Sequence, residues 1–382
     1  MTPVSAFATA PLRPDAVDLW GYLRSEIGLG ATARGLATVL RRTGLTNACH
    51  DLPLPGRDAI PFDVDPEAWR AGTNIYVVNP PQMLRGERFL PHGALRETRR
   101  IGRWAWELSG FPAAREPALG LVDEIWVPST FVARAVEEAT AKPVHVIPCP
   151  VDRPPPAPMT EARAAALPGI PAEAYVFLTS FDFASSVHRK NPAGLLAAFR
   201  DSFPSADSTG GPFLVVKAHG GGLDRAAVDR LAADVAATPR ALLIDRVLSP
   251  AEMVRLQDAA DCFASLHRGE GFGRGLAEMM LAGKPVVATA YSGNLDFMTP
   301  GNSYLVDCDL VPVGYGEYGD GEGQLWAEPR RDSAVDALRA VYADRAEAAR
   351  RAAAGRETIR RTCTIEALVP RLLSLLGRHP SP

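Results

Sequence analysis

His267-Arg-Gly-Glu-Gly-Phe-Gly-Arg-Gly-Leu-Ala-Glu-Met-Met-Leu-Ala-Gly-Lys-Pro-Val-Val-Ala-Thr289 carries a glycine-broken loop into a helical pattern and then into an apolar run, and another apolar run precedes it. Gly269, Gly271 and Gly273 remove side-chain bulk and permit positive φ, so backbone N–H groups can come close to a ligand. The helix that follows has no Ser, Thr, Asp or Asn to cap its first turn. Its orphan N–H groups and the positive end of its dipole therefore stay available to an anion. Glu270, in the loop, can reach hydroxyls of a sugar lying beside phosphates, and Glu278, on the second turn, can accept a pair of hydrogen bonds from a ribose diol. The order strand, loop, helix, strand predicts a parallel sheet with its ligand at the strand ends.

The same alternation runs through the whole chain, which predicts an α/β fold of parallel sheets with helices on both faces. In the second half the expected strands are Tyr175 to Phe181, Phe213 to Lys217, Ala241 to Asp245, Cys262 to Leu266, Pro285 to Ala288 and Ser303 to Val306. In the first half they are Leu19 to Leu23, Asn74 to Val78, Ile101 to Trp106, Glu124 to Val127 and Val144 to Ile147, with a helix from about Leu29. Asn191-Pro192 and the capping box Ser249-Pro-Ala-Glu252 mark two helix starts. Pro150-Val-Asp-Arg-Pro-Pro-Pro-Ala-Pro158 can hold neither a helix nor a central strand and is read as a hinge. Two doubly wound, Rossmann-like domains facing across a cleft follow: residues 1–157, and residues 158–360 on the donor side, with 361–382 packing back on the first.

At 382 residues the chain suits two domains. Hydrophobic residues make up 47% and net charge is −3, so a nucleic-acid partner is not indicated. Cys49, Cys149, Cys262, Cys308 and Cys363 are scattered, odd in number and show no CxxC spacing, which suggests neither a disulfide framework nor a zinc site and fits a reducing cytoplasm. No HxxxH or HExxH pair and no calcium-loop spacing occurs, so no metal site is expected. Residues 1–17 lack the apolar core of a signal peptide, and no run reaches the ~18 apolar residues of a membrane span. Arg345 to Arg361 mixes Arg with Glu347 and Glu357 and reads as a solvated helical face, as do Arg34, Arg41 and Arg42.

Three segments resemble glycosyltransferase family 4, the retaining nucleotide-sugar transferases of GT-B fold: Gly21-Tyr-Leu-Arg-Ser-Glu-Ile-Gly-Leu-Gly30, Ser180-Phe-Asp-Phe-Ala-Ser-Ser-Val-His-Arg-Lys-Asn-Pro192, and His267 through Met298. Trp104-Ala-Trp-Glu-Leu108, Val122 to Ser129 and Trp326-Ala-Glu-Pro329 extend the similarity over most of the chain. The Glu-x7-Glu pair is the most specific part. The resemblance implies that Glu270 holds the donor sugar and Glu278 the ribose, with the backbone of Gly271, Phe272 and Gly273 against sugar and diphosphate. It assigns Lys190 to the diphosphate, and Gly28 and Gly30 to a loop of the first domain that closes over the phosphates. Family members often place an arginine several residues before this lysine; Asp182, Ala184 and Ser185 stand there instead, which leaves Arg189 and Arg274 as candidates for a second cation.

The activity so implied is retaining transfer of a mannose-like or glucose-like hexose from a GDP- or UDP-linked donor to a saccharide or lipid-linked acceptor, in bacterial surface polysaccharide synthesis. No separate cofactor or metal is expected, because Lys190, the loop amides and the helix dipole can offset charge on the leaving diphosphate. For a lipid-linked acceptor the protein would make a peripheral contact at the inner face of the cytoplasmic membrane. Glu107 has two readings, a group facing the acceptor or reacting sugar and a surface charge beside Trp104 and Trp106. A nucleotide-sugar epimerase on the same fold and a non-catalytic nucleotide-sugar-binding protein are the alternatives. His219-Gly-Gly-Gly222 resembles an esterase oxyanion loop, but no GxSxG accompanies it, Ala290-Tyr-Ser-Gly-Asn294 lacking the glycines. Lys217, Arg246 and Val247 are expected among the walls that select base and sugar.

Overall fold

A computed structural model describes residues 11–54, 60–65, 70–85, 98–204 and 211–377. Residues 1–10, part of the segment weighed as a signal peptide, lie outside the described residues. The chain divides into two compact units, residues 1–152 together with 361–382, and residues 153–360. The internal division falls within the proline-dense stretch Pro150 to Pro158.

The first unit is built on six parallel strands, β1 (Leu12–Gly21), β2 (Asn47–Asp51), β3 (Arg70–Val77), β4 (Arg99–Arg103), β5 (Glu124–Val127) and β6 (Val144–Val146), in the order β2-β1-β3-β4-β5-β6. The helix Gly28–Arg42 buries Ala33, Leu36 and Leu40 against Leu19, Ile75 and Ile101 of the sheet. Ile365, Leu368 and Leu372 of the C-terminal helix Ile365–Leu375 complete that core. Several details differ from expectation, β3 starting at Arg70 rather than Asn74 among them. β1 starts seven residues earlier than Leu19, because Leu12 and Arg13 pair with Arg70 and Ala71 although their side chains lie outside the core. β2, with its polar sequence Asn47-Ala-Cys-His-Asp51, carries no periodic signal and is held by pairing with β1. β4 ends at Arg103 rather than Trp106, since the Ala105 N–H is taken by the Asn79 side chain at 2.8 Å.

The second unit repeats the plan with β7 (Val176–Asp182), β8 (Phe213–His219), β9 (Ala241–Asp245), β10 (Cys262–Ser265), β11 (Val286–Thr289) and β12 (Tyr304–Val306), all parallel, in the order β12-β11-β10-β7-β8-β9. Chain order reverses between β7 and β10, and such a switch point opens a crevice at the carboxyl ends of the two strands. Phe177, Leu214, Val216, Cys262, Ala264 and Val287 bury the sheet against helices Pro192–Ser202 and Arg331–Ala343. Both expected helix starts form: Asn191 accepts from Gly194 N, and Ser249 and Glu252 close a complete capping box. A hairpin of β13 (Cys308–Pro312) and β14 (Leu325–Pro329), which no strand pattern predicts, pairs antiparallel.

In the helix Arg345–Thr362, Glu347 pairs with Arg350 and Arg351, and Glu357 with Arg360. Arg34 departs from the solvated face expected of it, donating to the carbonyls of Leu23 and Ser25 at 3.0 Å each. Among the described residues no helix is long and apolar enough to cross a membrane.

Candidate functional site

The two strands that flank the switch point in the second unit deliver the charged residues of the site. After β7 the chain makes a four-residue helix, Val187–Lys190, that cannot run on because Ser186 at its start and Asn191 at its end both hold positive φ, 66° and 51°. Asn191 then caps the next helix and donates to Leu266 O, just past β10, at 3.0 Å. Arg268 N donates to Arg189 O at 2.7 Å, so the two loops are stitched together. This places Lys190 and Glu270, 80 residues apart in sequence, in one ion pair.

Glu270 is the centre of the arrangement. One carboxylate oxygen accepts from Lys190 Nζ, and the other lies 3.3 Å from an Arg189 guanidinium nitrogen. Burial on its own would raise the pKa of this side chain, but the attraction of Lys190 and Arg189 outweighs it and holds the carboxyl down at about 2. Glu270 is thus ionised at neutral pH. It can accept hydrogen bonds from hydroxyls and cannot serve as an acid.

Arg189 is 3% exposed and donates to Ser185 O at 3.1 Å and Gly269 O at 2.6 Å, so its guanidinium braces the glycine loop from behind. His267, also buried, lies with Nε2 3.2 Å from Asn294 Oδ1 and Nδ1 3.3 Å from Ser265 Oγ. Burial lowers its pKa, which keeps the imidazole neutral. Ser292 Oγ accepts from Glu270 N at 2.8 Å, and Gly293 N donates to Glu270 O at 2.9 Å. A Cβ on Gly293 would stand 2.2 Å from Gly271 O, so only glycine lets the segment after β11 lie against the loop.

Gly273, at φ 89°, caps the helix Arg274–Leu281 with no side-chain hydrogen bond. The first turn keeps the uncapped start that its sequence foretold. Phe272 turns its ring inward, 5.0 Å from the ring of Phe297, and so offers the site its backbone alone. Glu278 is held by Arg274 Nε at 2.8 Å and Gln257 Nε2 at 2.9 Å, which fixes the carboxylate on the second turn.

Gly28, Gly30 and Glu107 belong to the first unit. Gly28 is exposed, and a Cβ there would meet open space. Gly30 is buried, and a Cβ would come within 2.4 Å of Ser25 O and 2.6 Å of Tyr22 O. Its glycine is thus required by the close approach of the loop after β1. Glu107 is half-buried in the segment after β4, between the buried Trp106 and Leu108.

Ser292, Gly293, Asn294 and Gln257 carry no motif of their own. A Ser-Gly-Asn cluster directly after an apolar strand of a parallel sheet was the available signal, because the carboxyl ends of such strands are where ligands bind. Among the described residues no group of three or more His, Cys, Asp or Glu is placed to hold a metal ion.

Residues 183–358 match the family model of Glycosyl transferases group 1. No curated protein matches the chain in sequence. Among solved structures, Anabaena HepE in complex with UDP-glucose is similar at TM-score 0.68 and 14% identity, covering 95% of this chain and 99% of its own. The sucrose-phosphate synthase of Thermosynechococcus elongatus gives 0.67 and 15%, covering 95% and 98%. A glycosyltransferase from Rickettsia africae gives 0.66 and 10%, covering 97% and 98%. With its two six-stranded parallel sheets, the chain has the GT-B fold.

Proposed function

We propose that this protein is a retaining glycosyltransferase of family 4 that transfers a hexose from a nucleotide diphosphate sugar to a saccharide or lipid-linked acceptor. The observation that carries the reading is the Lys190–Glu270 ion pair beside the uncapped helix start at Gly273, at the switch point of a sheet within the matched residues 183–358. A diphosphate entering there exchanges the partner of Lys190 from a carboxylate to a phosphate oxygen. Glu270, ionised and released from one cation, then accepts from sugar hydroxyls. Glu278 faces the ribose, and Arg274 stands beside it as a cation at the first turn. Anabaena HepE, of the same fold, has been solved with UDP-glucose, which supports a nucleotide-sugar donor of this class.

Breaking the sugar–phosphate bond places negative charge on the diphosphate, where Lys190 and the amides around Gly273 stabilise it. In this reading the leaving phosphate takes the acceptor's proton on the face it departs from, the front-face route by which configuration is retained. Gly28, Gly30 and Glu107 serve, in this reading, the phosphate loop and the acceptor side. The work is in the cytoplasm, with a peripheral membrane contact if the acceptor is lipid-linked. The test is release of nucleoside diphosphate from a panel of UDP- and GDP-hexoses with and without saccharide acceptors, followed by NMR assignment of the product anomer. Acceptor-dependent release with retained configuration is expected; donor conversion without acceptor would point to an epimerase.

A further inference from the structure

Parallel strands covered on both faces are normally runs of apolar residues, and β8 departs from this at one buried position. Lys217, in Leu214-Val-Val-Lys-Ala-His219, is only 4% exposed. Leu214, Val216 and Ala218 face the apolar core under helix Pro192–Ser202. By strand alternation, Lys217 and His219 project from the other face, beside their register partners Ser180 and Asp182 on β7. That face is where the helix Arg274–Leu281 begins, since a Cβ on Gly275 would lie 4.0 Å from Ser180 Oγ. Lys217 therefore stands one strand away from the uncapped first turn.

Its ammonium donates to His219 Nδ1 at 3.0 Å and to Ala218 O at 3.4 Å. An ammonium can only donate, so Nδ1 accepts and the ring proton sits on Nε2, which faces Asp182 Oδ2 at 3.7 Å. The chain Asp182, His219, Lys217 fixes the direction of the lysine at the carboxyl ends of β7 and β8. Keeping a charge in a sheet interior is costly, and residues that carry such a cost cluster where charge is used. Arg189 is engaged behind the glycine loop and Arg274 pairs with Glu278 along its own helix, so the adjoining strand β8 is where a second phosphate cation would come from.

We propose that Lys217 is that second cation, reaching the donor's diphosphate from β8 at the start of the helix Arg274–Leu281. The inference rests on the nucleotide-sugar reading of the site and adds a residue to it. The test uses Lys217→Met and Lys217→Arg in the full chain, with calorimetric titration by UDP and by GDP, ligand-observed NMR of uridine and guanosine, and a thermal melt. K217M should lose tenfold or more in affinity for the diphosphate that wild type binds, with nucleoside binding unchanged and Tm of the unliganded protein no lower. K217R should recover part of the loss. Unchanged diphosphate affinity in K217M, or a lowered Tm with all ligands weakened alike in both variants, would overturn the assignment. If wild type binds neither diphosphate, it is the nucleotide-sugar reading that fails.

Discussion

Glu270→Gln tests the electrostatics of the site in a way that activity alone cannot. The substitution keeps shape and removes one buried charge facing Lys190 and Arg189. In the folded protein the carboxyl titrates at about 2, against 4.5 ordinarily; at about 1.4 kcal/mol per tenfold change in proton affinity, that depression stabilises the ionised fold by roughly 3 kcal/mol at neutral pH. The side chain is 12% exposed, so solvent screening removes little of this. The folded pKa lies below the unfolded one, so the contribution is complete above pH 4.5 and is lost as pH falls toward 2. E270Q should therefore be about 3 kcal/mol less stable than wild type at pH 7, and the gap should narrow below pH 4.5 and close near 2. Because the chain has two units, the assay must report on the second, and hydrogen exchange in peptides spanning Cys262–Ser265 under a urea series does so. An equal gap at pH 3 and pH 7, or none at pH 7, would refute the reasoning.

Further outcomes follow from the same geometry. Lys190→Met strands a buried carboxylate and removes the diphosphate cation, so transfer should fall by 100-fold or more in a donor-turnover assay; turnover within threefold of wild type would exclude Lys190 from the mechanism. Gly293→Ala drives a methyl into Gly271 O, 2.2 Å from the ideal Cβ, and should weaken nucleotide-sugar binding measured by calorimetry although Gly293 bears no functional group. Ser249→Ala removes a complete capping box and should cost about 1 kcal/mol in urea unfolding with turnover kept. Transfer should persist in excess EDTA, because Lys190 and amides supply the positive charge; a strict requirement for added divalent cation would contradict that role.

Much of the second unit was legible because its strands are short continuous apolar runs and its helices start at strong caps. Asn191 and Ser249 could be placed from sequence for that reason, as could the uncapped start at Gly273. Polar strands were not legible: β2 reads Asn-Ala-Cys-His-Asp and exists through pairing with β1. The same holds for the beginning of β1 at Leu12 and Arg13. Within the site, Glu270 and Glu278 could be singled out by type and spacing, and Lys190 by the resemblance of its segment to the family. Their partners could not, because Ser292, Gln257 and His267 act through contacts between segments far apart in sequence. Arg189 shows the limit most clearly: beside Lys190 in sequence it has the same charge, yet it is buried behind the loop on Gly269 O while the Lys190 side chain stays 19% exposed beside Glu270.

The most direct measurement is a crystal structure of the protein grown or soaked with its nucleotide-sugar donor. The diphosphate should lie within hydrogen-bond reach of Lys190 Nζ and the amides following Gly273, with sugar hydroxyls on Glu270 and the ribose diol on Glu278. A donor bound elsewhere, or bound here with Lys190 still closed on Glu270 and the phosphates in solvent, would contradict the account.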